Sequence, residues 1–204
     1  MANNISRYKE IRQVGIELNT KIFETIDKAD IRIAARVLGL VKGKKIVIDS
    51  ESEMDRFTNF VINDYVSQDG KNLIEKYLER NSDSLTEDEK TLLDALLIAK
   101  PSLYRIVEVD KHNSSVKLTD IINKDIELTI IDIGFSQSVI LDFILYTRVL
   151  CIDDIYMTSG AVMLFDGIDE KYLIEKSKLY AKKSFASSDA TKRAAAFFKL
   201  YKKV

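Results

Sequence analysis

Pro101 is the only proline in 204 residues, and the hydrophobic period changes on either side of it. Before it, apolar residues recur every three or four positions, the repeat that puts them on one face of a helix. Ile5, Tyr8, Ile11, Gly15, Leu18, Ile22 and Ile26 predict a first helix to about Asp27. Asp30 starts a second over the apolar run 31–40, closed by the Lys42-Gly43-Lys44 turn, with a short extended piece at 46–48. Ser50 with Glu53, and Thr86 with Glu89, have the spacing of capping boxes, in which each side chain bonds an orphan amide at the other's end of the first turn. The first of these helices should reach about Val66. The second should stop before Pro101, because the residue preceding proline is driven out of helical geometry. Between them, Gly70 precedes a helix with Leu73, Ile74, Tyr77 and Leu78 as its buried stripe.

Beyond Pro101 the segments 103–109, 116–119, 126–133, 139–152 and 155–165 are rich in Ile, Val, Leu, Tyr and Thr, with polar turns between them. These compositions predict strands. In the fourth, Leu141, Phe143, Leu145 and Val149 point one way and Asp142, Tyr146 and Arg148 the other, which predicts one buried and one partly wet face. Ser159-Gly160 splits the last segment. Helical periodicity returns at 169–183, and Ser187 or Ser188 caps a final helix carrying Ala190, Ala194, Phe197, Phe198 and Tyr201 on one side. The predicted class is α+β: a helical N-terminal region (1–100), a five-stranded antiparallel bent sheet or small barrel (101–167) and two basic C-terminal helices (168–204).

With 46% hydrophobic residues the chain can bury a sizeable core. Apolar stretches fall short of the roughly 18 residues that span a bilayer, and no basic leader precedes one, so the expected setting is the cytoplasm without membrane partners. Cys151, the single cysteine, cannot form an intramolecular disulfide and reads as a buried thiol. With His112 the lone histidine as well, metal coordination and a histidine-assisted nucleophile both lack their residues. His112 sits in a polar turn. Asp49, Glu51, Glu53 and Asp55, and again Glu87, Asp88 and Glu89, fall at helix starts, where the dipole favours negative charge. Asp153 and Asp154 read as a solvated turn between strands. The seven glycines make no phosphate-binding loop. No catalytic residue, metal ligand or cofactor is therefore assigned.

Charge is distributed unevenly. Residues 171–204 hold ten Lys and Arg against Glu175 and Asp189, while 49–99 hold thirteen Asp and Glu against five cations. Either a polyanion meets the tail, or the two regions attract each other. Lys176, Lys178, Lys182, Lys183, Lys192, Arg193 and Lys199 are the candidate nucleic-acid or anion contacts. Phe197, Phe198 and Tyr201 are the candidate interface to another protein or a second copy, unless they complete the chain's own core.

Ser102-Leu103-Tyr104, Val107-Glu108-Val109, Leu118-Thr119-Asp120-Ile121 and the strand over 142–148 give an order of elements that resembles uncharacterised bacterial proteins. In those proteins a helical region precedes a small β module, and some carry a SEC-C zinc motif. The resemblance covers residues 85–166 and implies the helix-then-β layout. The cysteines and histidine of the zinc motif are missing here, so it implies no metal site. The favoured expectation is a non-enzymatic binding or assembly protein with a protein or homo-oligomeric partner. The alternative is nucleic-acid binding through the C-terminal helices, and a carboxylate-dependent enzyme comes third.

Overall fold

The computed structural model describes residues 2–124 and 126–203. Its elements run α1 (Ala2–Glu24), α2 (Lys28–Leu38), the hairpin β1 (Val41–Lys42) and β2 (Lys45–Ile46), α3 (Glu51–Asn63), α4 (Leu73–Asn81), a 3-10 turn (Ser82–Ser84) and α5 (Glu87–Ile98). Then come β3 (Pro101–Asp110), β4 (Ser115–Asp120), β5 (Glu127–Ile131), α6 (Ile133–Ser138), β6 (Ile144–Ile152), β7 (Ile155–Thr158), β8 (Met163–Phe165), α7 (Glu170–Lys182) and α8 (Asp189–Tyr201). The class is α+β, as the change of period at Pro101 predicts.

Local chemistry explains the boundaries. Thr86 accepts from Glu89 N while Glu89 returns a carboxylate to Thr86 N, so two orphan amides at the start of α5 are satisfied together. At α3, Ser50 accepts from Glu53 N, but Glu53 reaches back one residue further, to Asp49 N at 2.6 Å. A third box, Asn72 with Glu75, starts α4 and follows the same spacing rule. α2 ends at Gly39, whose φ of +81° lets its N–H turn back to the Ala35 and Arg36 carbonyls.

Contacts divide the chain into two units that are not successive stretches: Met1–Ile16 with Thr86–Glu170, and Glu17–Leu85 with Lys171–Val204. The predicted β module thus shares its unit with α5 and the first half of α1. The C-terminal helices join the middle of the predicted helical region. The first unit holds 10 Lys and Arg against 17 Asp and Glu, a net of −7; the second holds 21 against 15, a net of +6.

In the first unit a sheet ordered β3-β4-β5-β7-β6-β8 bends until β6 also pairs with β3. β7 and β8 lie along one edge of β6, pairing with its 149–152 and 144–146 segments, so together they act as one strand broken around Gly160. Five strands thus close a barrel. All pairings are antiparallel except β5 with β7, which meet in parallel at Ile130 and Tyr156. Counted in chain order the neighbours are 1-2-3-5-4-1, with helix α6 between the third and fourth strands. That is the strand order of an OB-type Greek-key barrel. Its interior is filled by Tyr104, Ile106, Val116, Leu118, Ile130, Val139 and Leu145.

Three sequence expectations are corrected here. Segment 139–152 is not one long strand, because Ile140 to Phe143 form an irregular link with Asp142 at φ +66°. The outer face of β6 is not wet: Tyr146 and Arg148 are buried, since α5 packs on that wall and Arg148 Nη1 donates to the carbonyls of Leu96 and Ala99 at the end of α5. Cys151 is exposed. Alternation near the tip of the β6–β7 hairpin turns it to the side opposite buried Leu150 and Ile152.

The second unit is helical. Its core draws Leu18 and Ile22 from α1, Val37 and Leu38 from α2, Phe57, Phe60 and Ile62 from α3, Ile74 from α4 and Leu173 from α7. α8 contributes Phe197 and Phe198, each 1% exposed. Ala194, Ala195 and Ala196 make α8 narrow enough to sit among its neighbours with little of it left at the surface.

Candidate nucleic-acid interface

Several of the acidic residues singled out in the sequence are held by cations. Asp153 and Asp154 occupy the β6–β7 turn with φ of +51° and +61°, a left-handed pair that Asp tolerates better than bulkier residues. Asp153 accepts from Arg7 Nε at 2.8 Å, and Asp88 takes both terminal nitrogens of Arg7 at 2.6 and 3.1 Å. That fork holds the Asp88 carboxyl below its ordinary value, so it stays ionised and has no proton to give at neutral pH. Asp49 and Glu53 are engaged by Lys202, with Asp49 at 3.3 Å. His112 lies exposed in the β3–β4 turn. Among the described residues, no group of three or more His, Cys, Asp and Glu is placed to hold a metal ion.

The barrel offers its β4–β5 wall. Alternation turns Ser115, Lys117, Thr119, Glu127, Thr129 and Ile131 outward. OB-type barrels bind oligomers on this wall and its flanking loops, commonly by stacking bases on aromatic rings. Here none of the six is aromatic, Lys117 is tied to Glu127 at 2.8 Å, and the unit's net charge repels a polyanion.

The helical unit is different. On α7, Leu173 and Ser177 face inward, while Tyr172, Lys176 and Tyr180 follow at four-residue intervals on the flank about a quarter-turn from them, with Lys183 continuing the line just past the helix end. Lys176 Nζ lies 5.5 Å from the centre of the Tyr172 ring. From the end of α8, Lys203 Nζ comes within 2.8 Å of Tyr180 Oη and 5.0 Å of its ring centre. The hydrogen bond from Lys203, with the charges of Lys176 and Lys183 adding to it, holds the Tyr180 phenol below its ordinary value. Lys178, Lys182 and Lys183 are exposed and form no ion pair among the described residues. Tyr172 and Leu179 of α7 are exposed, and so is Phe185 in the link to α8, at 65%.

The remaining predicted contacts are dispersed over α8. Lys192 pairs with Asp189 at 3.1 Å, Arg193 is exposed, and half-buried Lys199 has its ammonium lowered by desolvation. The candidate interface residues go inward: the Phe197 and Phe198 rings are taken up by the unit's own core. Tyr201 is half-buried under the Arg56 guanidinium, 4.3 Å from its ring centre, and accepts from Arg56 Nη2 at 2.8 Å. Of the expected attraction between the tail and acids 49–99, the helical unit realises one instance among the described residues, Lys202 with Asp49 and Glu53.

Lys203 is one of the ten tail cations that the sequence offers as phosphate contacts, whereas Tyr172 and Tyr180 are not candidates there. The stripe was visible as a spacing of Tyr and Lys on one helical face, whereas the approach of Lys203 needs the tertiary fold.

A model of a family of unknown function, DUF7986, matches residues 2–204. The chain belongs to the DUF7986 family. No curated protein matches it. No solved structure matches it either. Among the described residues of this DUF7986 chain, no helix is long and apolar enough to cross a membrane.

Proposed function

We propose that the chain is a non-enzymatic binding protein that takes single-stranded nucleic acid along the flank of α7 that carries Tyr172, Lys176 and Tyr180. The observation that carries this reading is the Tyr172, Lys176, Tyr180, Lys183 line, completed by Lys203, with the exposed ring of Phe185 two residues further along the chain. Cations that lack carboxylate partners meet a phosphate backbone with counterion release, and aromatic rings among them stack unpaired bases. Lysine rather than arginine dominates the face, which suits sequence-tolerant backbone contact over base readout. A protein or homo-oligomeric partner has less support, because Phe197 and Phe198 are buried.

The test is fluorescence anisotropy of labelled oligothymidine against the whole chain at low and physiological salt. Micromolar binding that weakens steeply with salt is expected. Neutralising Lys176, Lys183 and Lys203 to Gln should weaken it about tenfold or more, and Tyr172→Ala with Phe185→Ala should do the same through lost stacking at about 1–3 kcal/mol per ring. A folded chain that binds nothing at low salt overturns the reading.

A further inference from the structure

A second basic surface lies on the helical unit and draws on none of the α7 residues above. Lys28, Arg32 and Arg36 recur at four-residue intervals on α2 and are all exposed. They form a ridge about 12 Å long, at about 1.5 Å per residue. Beyond it the β1–β2 hairpin carries Lys42, Lys44 and Lys45, also exposed, around the Gly43 turn. The two are fixed to each other: Arg32 Nη2 donates to the Lys44 carbonyl at 3.2 Å. Lys199 approaches from α8, its Cε within 3.8 Å of where a Cβ on Gly39 would stand, at the C-terminus of α2.

None of the six exposed cations is in an ion pair among the described residues. The acid nearest in sequence on α2, Asp30, is turned to the other side, accepting from Tyr65 Oη at 2.9 Å with Lys76 Nζ at 3.9 Å. Arg36 and Lys199 stand where the α2 dipole favours a cation, which accounts for those two structurally. It does not account for Lys28, Arg32, Lys42, Lys44 and Lys45. Five like charges left unneutralised on one edge repel each other unless an anion lies between them.

We infer that the α2 ridge and the tip of the β1–β2 hairpin form a phosphodiester-backbone site, with the Arg32 and Arg36 guanidiniums gripping phosphates and the hairpin lysines extending the track. Arginine presents a planar fork that matches phosphate oxygens, and a four-residue helical repeat meets successive phosphates of one strand. The ridge has no exposed aromatic ring and only Ile46, 38% exposed, as a large apolar group at its end. Base stacking and membrane insertion both need more than that. The site is therefore blind to base identity and suits a duplex. It shares a ligand class with the α7 reading but rests on different residues.

The test uses the whole chain, a short labelled DNA duplex, and two ridge variants: Arg32→Gln with Arg36→Gln, and Lys42→Gln with Lys44→Gln and Lys45→Gln. The second changes only exposed hairpin side chains, so it keeps the proposal testable if the first disturbs α2. Each is expected to weaken duplex binding at least tenfold and to flatten the dependence of log K on log salt by about 0.9 for every phosphate contact removed. Duplex binding unchanged in both variants overturns the ridge, and a loss confined to the Lys176, Lys183 and Lys203 variant would then leave the α7 reading standing. Wild-type binding to phosphatidylserine vesicles without binding to duplex also overturns it. No wild-type binding to either nucleic acid overturns both.

Discussion

Lys203 donates from Nζ to Tyr180 Oη at 2.8 Å, joining the end of α8 to the last turn of α7. The ammonium favours the phenolate, with further help from Lys176 and Lys183. Lys203→Ala is expected to move the Tyr180 ionisation up toward its ordinary value of 10.0. Ultraviolet titration of wild type and variant, with Tyr180→Phe to assign the signal, reads this directly. An identical titration in both would place Lys203 away from the ring in solution.

Thr191 has no exposed surface, and its hydroxyl gives to the Asp64 carbonyl at 2.6 Å while accepting from Val66 N at 3.2 Å. Thr191→Val keeps the shape and strands both backbone groups. A loss of about 1–3 kcal/mol is expected in urea unfolding, the cost of leaving buried backbone groups unpaired. A loss under half a kcal/mol would mean that water reaches these groups.

Arg148 ties β6 to the last carbonyls of α5, where a cation also meets the negative end of the helix dipole. Replacing it with Met fills similar space and removes the donors. About 2–3 kcal/mol of destabilisation is expected, in the range of hydrogen bonds to charged groups. The midpoint of thermal unfolding, followed by a signal from the barrel unit, is the measurement.

The Asp88 carboxyl is held below its ordinary value of 3.8 by Arg7. A carboxyl depressed in the folded state stabilises above its unfolded value, and the contribution disappears as pH falls through the folded one. Asp88→Asn should therefore be less stable than wild type near neutrality, with the difference closing below about pH 4. A difference that persists at pH 2 would assign the effect to something other than ionisation.

The capping boxes at Thr86 and Asn72 follow one rule of spacing, yet only the Thr and Ser versions were read from the sequence, because Asn72 beside Gly70 looks like turn chemistry. Alternation located the strands, since period two is a local property of the chain. It could not show which faces α5 covers, so Arg148 looked solvated and Cys151 looked buried. α6 was lost between two apolar runs, although Asp132, accepting from Phe135 N at 3.0 Å, marks its start. In the basic tail the charges were legible and their separation was not. Lys171, Lys178 and Lys182 of α7 stay at the surface because their helix buries only Leu173 and Ser177, while α8 turns nearly its whole girth inward.

The interleaved units impose an order on synthesis. The barrel unit has all its residues once Glu170 is made, whereas the helical unit, begun at Glu17, lacks Phe197, Phe198 and Leu200 until α8 has emerged. At about 5–20 residues per second, α2, α3 and α4 wait roughly 6–33 s before the last helix is made. Through that interval the helical unit lacks part of its core, and the barrel unit, most of it enclosed within that unit's sequence, is complete first.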